Sequence, residues 1–516
     1  MKRFINCAFK IIFSRTLFII LMILIQLAVL CFGFTKLGES FSYITEGMSL
    51  LGALLVIFIV NRDGAPEFKM TWCILICLLP VFGALIYLFV ELNLGGIGLK
   101  TRTYVRLKET EGLLFTTERT KKAVAGSQAD FRGFARYMEE TVGFPAYQGS
   151  EAVYYPSGED KFKDLLKELQ KAERFIFLEY FIMERGIMWN AILDILKEKV
   201  KQGVEVRVMY DGMCSIMLLP YGYPRELEKY GIKAKMFAPI RPFLSTNQNN
   251  RDHRKIVVID GKVAFTGGVN LADEYINEKK VYGYWKDTAV KITGEAVRSF
   301  TVMYLQMWHV SENDATDEYE KYLQNIAFDK PLKNDGFVIP YGEMPIVPTE
   351  VAKTVYESLF NTAKKYVHIM TPYFIVEQEF FDTMRYAAQR GVEVKMILPH
   401  IPDKKIVYYI ARNYYPKLLE AGIQVYEYTP GFVHAKVFSV DGSSATVGTI
   451  NLDYRSFYHH FECGCCFYDS SVIQDIEDDF QKTLEDCQEV TMEYYKKLPL
   501  YQKLIGTLFK LIAPLM

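Results

Sequence analysis

His253-Arg-Lys255-Ile-Val-Val-Ile-Asp260 with Gly267-Gly-Val-Asn270, and His434-Ala-Lys436-Val-Phe-Ser-Val-Asp441 with Gly448-Thr-Ile-Asn451, are two copies of one polar pattern. Both copies read H-x-K-x4-D-x6-G-x-x-N, so the intervals between the polar residues are identical. A His and a Lys two positions apart on an extended strand point to the same face of a sheet. The apolar residues that follow predict a buried strand, and the Asp-Gly pair predicts a tight turn into a hairpin. The returning strand then brings the Asn close to whatever the His and Lys face.

The motifs lie inside a larger internal repeat. Phe175 to Ile182 resembles Val367 to Ile375, and Gly203 to Val208 resembles Gly391 to Met396. Each pair consists of short apolar runs of strand character, and helical stretches lie between them. Alternating strands and helices predict an α/β fold class, with two α/β repeats packed around a pseudo-twofold axis. A residue that one active site needs twice can then come once from each repeat.

Two motifs that face each other would place two imidazoles, two ammonium groups and two amides around one point. This set suits a phosphodiester, because ammonium and amide groups stabilise charge on the non-bridging oxygens. One imidazole attacks phosphorus, while the other protonates the departing oxygen and deprotonates the incoming one. The lysines supply the positive charge, so the pattern predicts chemistry that needs no metal and no other cofactor. The predicted catalytic residues are His253, Lys255, Asp260, His434, Lys436 and Asp441, and the predicted phosphate-binding residues are Asn270 and Asn451.

A catalytic imidazole needs a partner on its second nitrogen to fix its tautomer. Asp287 and Glu462, each at the start of the next strand in its repeat, are the predicted histidine-orienting residues. The motif aspartates, each beside a Gly, are expected to brace turns rather than to touch substrate. Tyr454 and Arg455 either contact a head group or lie clear of it. The remaining histidines are interpreted as structural or surface residues: His309, His368, His400, His459 and His460.

The predicted organisation has five parts: a membrane anchor over 1–95, a linker over 96–145, repeats over 146–325 and 326–498, and an amphipathic helix over 499–516. Three apolar runs in the anchor, Leu17 to Phe34, Tyr43 to Val60 and Met70 to Val90, predict two or three transmembrane helices. Basic residues near the joints do not decide the orientation. The terminal helix suits either the lipid interface or a docked position on the catalytic core.

The overall composition argues against a nucleic-acid partner. The 516 residues are 50% hydrophobic, and 60 Lys and Arg balance 61 Asp and Glu. A near-neutral chain offers no broad attraction to a polyanion. Nine cysteines include no pair of C-x-x-C motifs, so we expect buried apolar cysteines rather than a structural zinc site.

The paired H-x-K-x4-D motifs resemble those of the phospholipase D superfamily. The chain is similar, more narrowly, to bacterial cardiolipin synthases in its apolar amino-terminal runs, in Trp285-Lys-Asp287, in the residues after each motif and in the tail Leu500 to Met516. The resemblance implies that two phosphatidylglycerol molecules become cardiolipin and glycerol through a phosphohistidine intermediate. It also implies that His253 is the nucleophile and His434 the general acid and base.

Several expectations follow from this resemblance. The partners are phosphatidylglycerol, cardiolipin and the lipid bilayer, without nucleic acid, and the location is the cell membrane, as a multi-pass protein. The first repeat has fourteen positions from Pro239 to His253 where the second has four from Pro430 to His434. The extra loop, Ile240 to Asn250, makes the predicted pocket asymmetric. A phospholipid hydrolase and a membrane-tethered nuclease stay open as alternatives, as does the oligomeric state.

Overall fold

A computed structural model describes residues 38–91, 94–214, 218–239, 250–310, 319–323, 332, 335–347 and 349–515. The chain divides into two compact units. One unit comprises Met1–Lys100, Ile240–Asn249 and Lys510–Met516, and the other comprises Thr101–Pro239 and Asn250–Phe509. The predicted span from Leu17 to Phe34 and all of the predicted loop except Asn250 lie outside the described residues.

The amino-terminal unit is helical, with α1 Gly38–Asn61, α2 Pro66–Leu78, α3 Pro80–Glu91 and the start of α4 Leu94–Glu109. The prediction of one continuous helix from Met70 to Val90 is wrong. Instead, α2 and α3 are separate helices that meet at Leu79 (φ −133°, ψ 72°). The ring of Pro80 disfavours the helical conformation for the residue before it. The two helices fold back on each other, and the rings of Trp72 and Tyr87 lie 5.3 Å apart.

Close packing holds this helical hairpin together. A Cβ atom on Gly83 would lie 2.6 Å from the carbonyl oxygen of Leu75, so only glycine permits the approach. Leu55 and Ile59 of α1 pack with the hairpin in one apolar core. Within the described residues, no helix combines the length and the hydropathy that crossing a membrane requires.

The second unit, Thr101–Pro239 and Asn250–Phe509, contains the two predicted repeats. The linker and first repeat contain the helices α5 Glu118–Ala125, α6 Ala129–Tyr137, α7 Gly158–Lys171, α8 Ile187–Lys201, α9 Tyr223–Glu228, α10 Val297–Val310 and α11 Tyr319–Leu323. The first repeat contains the strands β1 Ser150–Tyr155, β2 Phe175–Tyr180, β3 Glu205–Asp211, β4 Lys233–Phe237, β5 Arg251–Asp252, β6 Lys255–Ile259, β7 Val263–Gly267, β8 Tyr284–Lys286 and β9 Ala289–Gly294.

The second repeat follows the same plan. Its strands are β10 Phe337–Glu343, β11 Tyr366–Met370, β12 Phe374–Ile375, β13 Glu393–Pro399, β14 Gln424–Tyr428, β15 Gly431–Val433, β16 Val437–Val440, β17 Ser444–Gly448, β18 Leu452–Asp453, β19 His460–Tyr468 and β20 Cys487–Val490. The accompanying helices are α12 Val351–Thr362, α13 Gln378–Gln389, α14 Lys405–Arg412, α15 Tyr415–Glu420, α16 Tyr454–Tyr458, α17 Val472–Glu485, α18 Met492–Lys497 and α19 Leu500–Lys510.

The strand orders confirm the two α/β repeats. Among the described strands, the first sheet runs β1-β9-β7-β6-β2-β3-β4 and the second runs β10-β19-β17-β16-β11-β13-β14-β20. The central strands β2 and β11 each pair in parallel with one neighbour and antiparallel with the other. Both sheets are therefore mixed. Helix α10 is buried along nearly its whole length and contacts strands of both sheets, so the repeats share one interior.

Two short parallel pairings cross between the repeats. Strand β5, directly before the first motif, pairs with the start of β19 in the second repeat. Strand β15, directly before the second motif, pairs with β8 in the first repeat. Each motif histidine is therefore placed by the backbone of the other repeat.

The motif aspartates close turns at the far ends of their strands. Asp260 accepts hydrogen bonds from the backbone N–H groups of Glu173, Arg174 and Phe175, at 2.7–2.8 Å. Asp441 accepts three equivalent bonds from residues 364–366. Both aspartates have positive φ, 56° and 54°, and each precedes a Gly with positive φ, as the predicted hairpin turn requires.

Candidate active site

The first motif presents its histidine to a carboxylate of the second repeat. The backbone N–H of His253 donates to the carbonyl of Phe461 at 2.9 Å, which extends the β5–β19 pairing by one bond. The next residue, Glu462, then lies opposite the imidazole, and both of its carboxylate oxygens are 2.9 Å from His253 Nδ1. A neutral His253 that donates its Nδ1–H to this carboxylate keeps the lone pair of Nε2 for chemistry.

The second motif repeats this geometry in the opposite direction. The backbone N–H of His434 donates to the carbonyl of Lys286 at 2.7 Å. The following residue, Asp287, places Oδ2 2.7 Å from His434 Nδ1. Both predicted orienting acids therefore contact a motif imidazole, and each contacts the imidazole of the other repeat. Their orienting role stays a prediction that this geometry supports.

The two carboxylates have different local support. Glu462 also accepts hydrogen bonds from the hydroxyl groups of Thr449, at 2.5 Å, and Ser456, at 2.7 Å. Asp287 accepts from the backbone N–H of Thr288 at 2.8 Å. Gly268 takes the place in the first motif that Thr449 takes in the second, and a Cβ atom there would lie 1.9 Å from Asp287 Oδ1. Glycine at this position leaves the space that Asp287 occupies.

Both motif lysines are buried beside their histidines. The ammonium group of Lys255 donates to the carbonyl of His253 at 2.6 Å, and that of Lys436 donates to the carbonyl of His434. Burial lowers the pKa of Lys255 to about 8 and that of Lys436 to about 7. The charge of Lys255 further lowers the pKa of Lys436, because the two motifs converge on one site.

Burial also keeps the two imidazoles neutral in the free site. Removal from water lowers the pKa of His253 well below its usual value, against the opposing effect of Glu462. The pKa of His434 falls to about 4, first through burial and then through the charge of Lys436. An anionic phosphodiester bound among these groups would favour their protonated forms again.

The predicted asparagines occupy different environments. The amide oxygen of Asn270 accepts from the backbone N–H of Ile182 at 3.0 Å, and its NH2 group donates to the hydroxyl of Tyr275 at 2.8 Å. Asn451 is buried, and its amide oxygen has no hydrogen-bond partner among the described residues. Asn270 has one further amide hydrogen that can bind a ligand. Phosphate binding by Asn270 and Asn451 stays a prediction.

Aromatic rings surround each imidazole, and one of them was missed. Trp285 lies 5.4 Å from His434, between ring centroids, and His460 lies 5.4 Å from His253. The interpretation of His460 as a structural or surface residue is incomplete, because its buried ring adjoins the first motif. The signal in the sequence was its alignment with Trp285, since both stand two positions before an orienting acid.

The other extra histidines lie elsewhere or serve packing. His368 is buried between Glu477 (2.8 Å) and Glu393 (3.1 Å), as a structural interpretation requires. His400 contacts Glu427 at 2.8 Å and is partly exposed.

A separate cavity of about 260 Å³ opens beside Asp441, at the end of β16 remote from His434.

Two PLD-like repeats that exchange carboxylates around a pair of H-x-K motifs define a phospholipase D type of site. The model for "Cardiolipin synthase, PLD-like domain" matches residues 165–303 and 356–484. The model for "Phospholipase_D-nuclease N-terminal" matches residues 50–91. The chain belongs to the cardiolipin synthase family of PLD-like proteins.

Similar proteins span nearly the whole chain. An uncharacterized protein of Streptococcus mutans is 47% identical over 89% of this chain and 99% of its own length. A cardiolipin synthase of Alkalihalophilus pseudofirmus is 33% identical over 91% of this chain and 92% of its own. A cardiolipin synthase 2 of Bacillus cereus is 33% identical over 89% of each chain.

A solved structure shares the fold. The crystal structure of phosphatidylserine synthase from Haemophilus influenzae superposes with a TM-score of 0.54 and 17% identity. The match covers 72% of this chain and 95% of that chain. At this identity the likeness supports the two-repeat fold and nothing finer.

The space beside Gly268 gives a first prediction. We expect Gly268→Ala to displace Asp287 and lower the rate of cardiolipin formation at least about 100-fold, because an unoriented His434 loses acid and base catalysis. Initial rates on phosphatidylglycerol vesicles measure this. Gly133→Ala, whose Cβ would meet nothing within 4 Å, is the matched control and should keep the wild-type rate. A full rate in Gly268→Ala would contradict the proposed role of Asp287.

The buried Lys436 gives a prediction on pH. With its pKa lowered to about 7, the ammonium form prevails below that pH and is lost above it. We expect kcat/KM to fall more steeply once the pH passes about 7, because the free enzyme then loses the charge of Lys436 that binds the phosphodiester, in addition to the proton of His434. Measurement of kcat/KM from pH 6 to 9 tests this. A slope that stays unchanged up to pH 9 would show that the charge of Lys436 is not required.

Proposed function

We propose that the protein is a cardiolipin synthase that transfers a phosphatidyl group between two phosphatidylglycerol molecules. The single observation that carries the proposal is the exchange of carboxylates between the repeats: His253 contacts Glu462 of the second repeat, and His434 contacts Asp287 of the first. The cardiolipin synthases similar to almost the whole chain support the choice of substrate.

The reaction proceeds in two displacements at phosphorus. Nε2 of His253 attacks the phosphorus of the first phosphatidylglycerol, and the bond from phosphorus to the glycerol oxygen breaks. His434 gives its proton to that oxygen, so glycerol leaves and the phosphatidyl group stays on His253. His434 then takes the proton of the free hydroxyl of a second phosphatidylglycerol, whose oxygen attacks phosphorus. Cardiolipin forms, and His253 and protonated His434 are restored.

The division of labour between the histidines follows the family resemblance. Glu462 holds the Nδ1–H of His253, which leaves its Nε2 lone pair for attack, and Asp287 stabilises the imidazolium form of His434. Lys255 and Lys436 stabilise the charge on the non-bridging oxygens in a site removed from bulk water. Asn451 is buried at the end of the second motif, and its amide NH2 group is the part that would donate to the same phosphate.

Membrane association is the second part of the proposal. Leu50, Leu54 and Phe58 lie four residues apart on α1 and are 64%, 57% and 58% exposed. A surface stripe of large apolar side chains is typical of contact with lipid or another protein. The sequence-based prediction of a multi-pass arrangement stays a prediction.

Helix α19 combines the two alternatives left open for the carboxy-terminal tail. Asn413 donates to the carbonyl of Lys503 at 3.0 Å, and Gly506 lies against the backbone of Tyr409, so one side of the helix docks on α14. The opposite side leaves Leu504 and Leu508 61% and 63% exposed. We infer that this side lies on the bilayer surface and keeps the catalytic unit at head-group depth.

Analysis of lipid products tests the transfer reaction. Purified full-length protein incubated with phosphatidylglycerol and EDTA should release glycerol and form cardiolipin, because the lysines supply the positive charge. His253→Ala should abolish both products and any trapped phosphoenzyme. His434→Ala should slow both the formation and the breakdown of the phosphoenzyme. Phosphatidic acid as the main product would identify a hydrolase instead, and a phosphoenzyme in His253→Ala would reverse the histidine assignment.

Kinetics on two substrate forms test the role of α19. The double variant Leu504→Gln/Leu508→Gln should raise the KM for phosphatidylglycerol in vesicles several-fold, because it removes apolar area that enters the interface. Turnover of a soluble short-chain phosphatidylglycerol should not change. Val153→Gln, which alters an exposed apolar residue of β1, is the control. Equal KM values on vesicles for the double variant and the wild type would argue against lipid contact by this helix.

A further inference from the structure

The two halves of the active site differ at one equivalent pair of positions. Trp285 and His460 each stand two residues before an orienting acid and beside the motif imidazole of the other repeat. Because the backbone pairings of the two halves match, the difference lies in the side chains. The second motif adjoins an indole, whereas the first adjoins another imidazole.

His460 is buried in an unusual state. Its side chain is 9% exposed, and neither ring nitrogen has a hydrogen-bond partner among the described residues. Its Nδ1 lies 3.7 Å from Oε1 of Glu462, which is too long for a hydrogen bond. Buried polar groups without partners are rare in folded proteins and call for a specific explanation. A ligand that bonds to the free imidazole supplies one.

The surrounding atoms have the arrangement of a metal site. Ligand atoms of His253, His460 and Glu462 all lie within 4.8 Å of one another. Oε1 of Glu462 is 2.9 Å from Nδ1 of His253 and 3.7 Å from Nδ1 of His460. Tetrahedral zinc, with bonds of about 2.0–2.1 Å, holds its ligand atoms about 3.3 Å apart, between these two values. Two imidazoles and one carboxylate also form a known zinc ligand set.

We propose that His253, His460 and Glu462 bind zinc or a similar first-row dication, and that the bound metal inhibits the enzyme. A neutral imidazole has one N–H and one lone pair. When Glu462 accepts the Nδ1–H of His253, the lone pair lies on Nε2. A metal on Nδ1 takes a lone pair there, so the remaining proton moves to Nε2, and this nitrogen can no longer attack phosphorus.

The surroundings of the proposed metal site determine which cations bind and why only the first motif binds one. The ammonium group of Lys255, bound to the carbonyl of His253, repels any cation. Only a metal that bonds strongly to imidazole overcomes this repulsion, which favours zinc over the hard, oxygen-seeking ions Mg²⁺ and Ca²⁺. Among the described residues the second motif has no equivalent site, since the indole of Trp285 is a donor only. Metal binding is independent of the proposed function, whereas the inhibition rests on it.

Direct titration tests the binding. Calorimetry of the full-length protein in detergent with zinc chloride should show a site that weakens at least tenfold in His460→Asn. His460→Cys, which replaces one zinc ligand by another, should restore it. The matched control is His400→Asn, because His400 also contacts a carboxylate, Glu427, at 2.8 Å but has no second imidazole there. Equal zinc affinity in the wild type and His460→Asn would overturn the proposal.

Inhibition is tested separately on phosphatidylglycerol vesicles, with each rate normalised to that of the same variant without metal. Zinc should inhibit the wild type, a chelator should reverse the effect, and Mg²⁺ should have none. His460→Asn should need at least tenfold more zinc for half-inhibition, which also controls for zinc bound to lipid phosphate. Zinc binding without inhibition would overturn the tautomer mechanism. Binding in a protein that makes no cardiolipin would refute the proposed function and leave the metal site standing.

Discussion

The hydrogen bonds from His253 to Glu462 and from His434 to Asp287 cross between the repeats, and the site depends on this crossing. Each bond follows from a short parallel strand pairing that places a motif backbone against the other repeat. Neither repeat alone supplies the carboxylate that contacts its own motif histidine. In the proposed mechanism the duplicated fold forms one catalytic centre, and the buried helix α10 contacts strands of both sheets.

Burial strengthens the polar interactions within this site, and it also imposes a desolvation cost on every polar group there. Polar groups removed from water interact more strongly, but each needs a partner. Glu462 satisfies this need with donors from His253, Thr449 and Ser456. The lysines do so with the carbonyl groups of their own motif histidines, and their pKa values fall toward neutrality. An anionic substrate entering such a site meets preorganised positive charge, which is how electrostatic stabilisation of phosphoryl transfer works.

Near-symmetry does not make the two halves equivalent. Gly268 leaves room for Asp287 where Thr449 donates to Glu462, and Trp285 stands where the second repeat has His460. A two-step transfer assigns different tasks to its two imidazoles, so different surroundings suit it. Local side-chain differences on a common backbone provide them.

Local patterns in the sequence determined the repeats, the motif hairpins and the bracing role of Asp260 and Asp441, because strand alternation and Asp-Gly turns depend on neighbouring residues. They also indicated Asp287 and Glu462 as partners of the histidines. Hydropathy alone did not predict the two helices between Met70 and Val90, since it measures apolar character and does not detect the hairpin at Pro80.

Tertiary structure decided which acid contacts which histidine. Spacing along the chain cannot show that β5 pairs with β19, because that contact joins segments about 200 residues apart and arises only when the repeats pack. The same packing brings His460 beside His253, a contact that the sequence indicates only through the alignment of His460 with Trp285. The sequence determined the chemical groups by itself, and the association of the two repeats determined their partners.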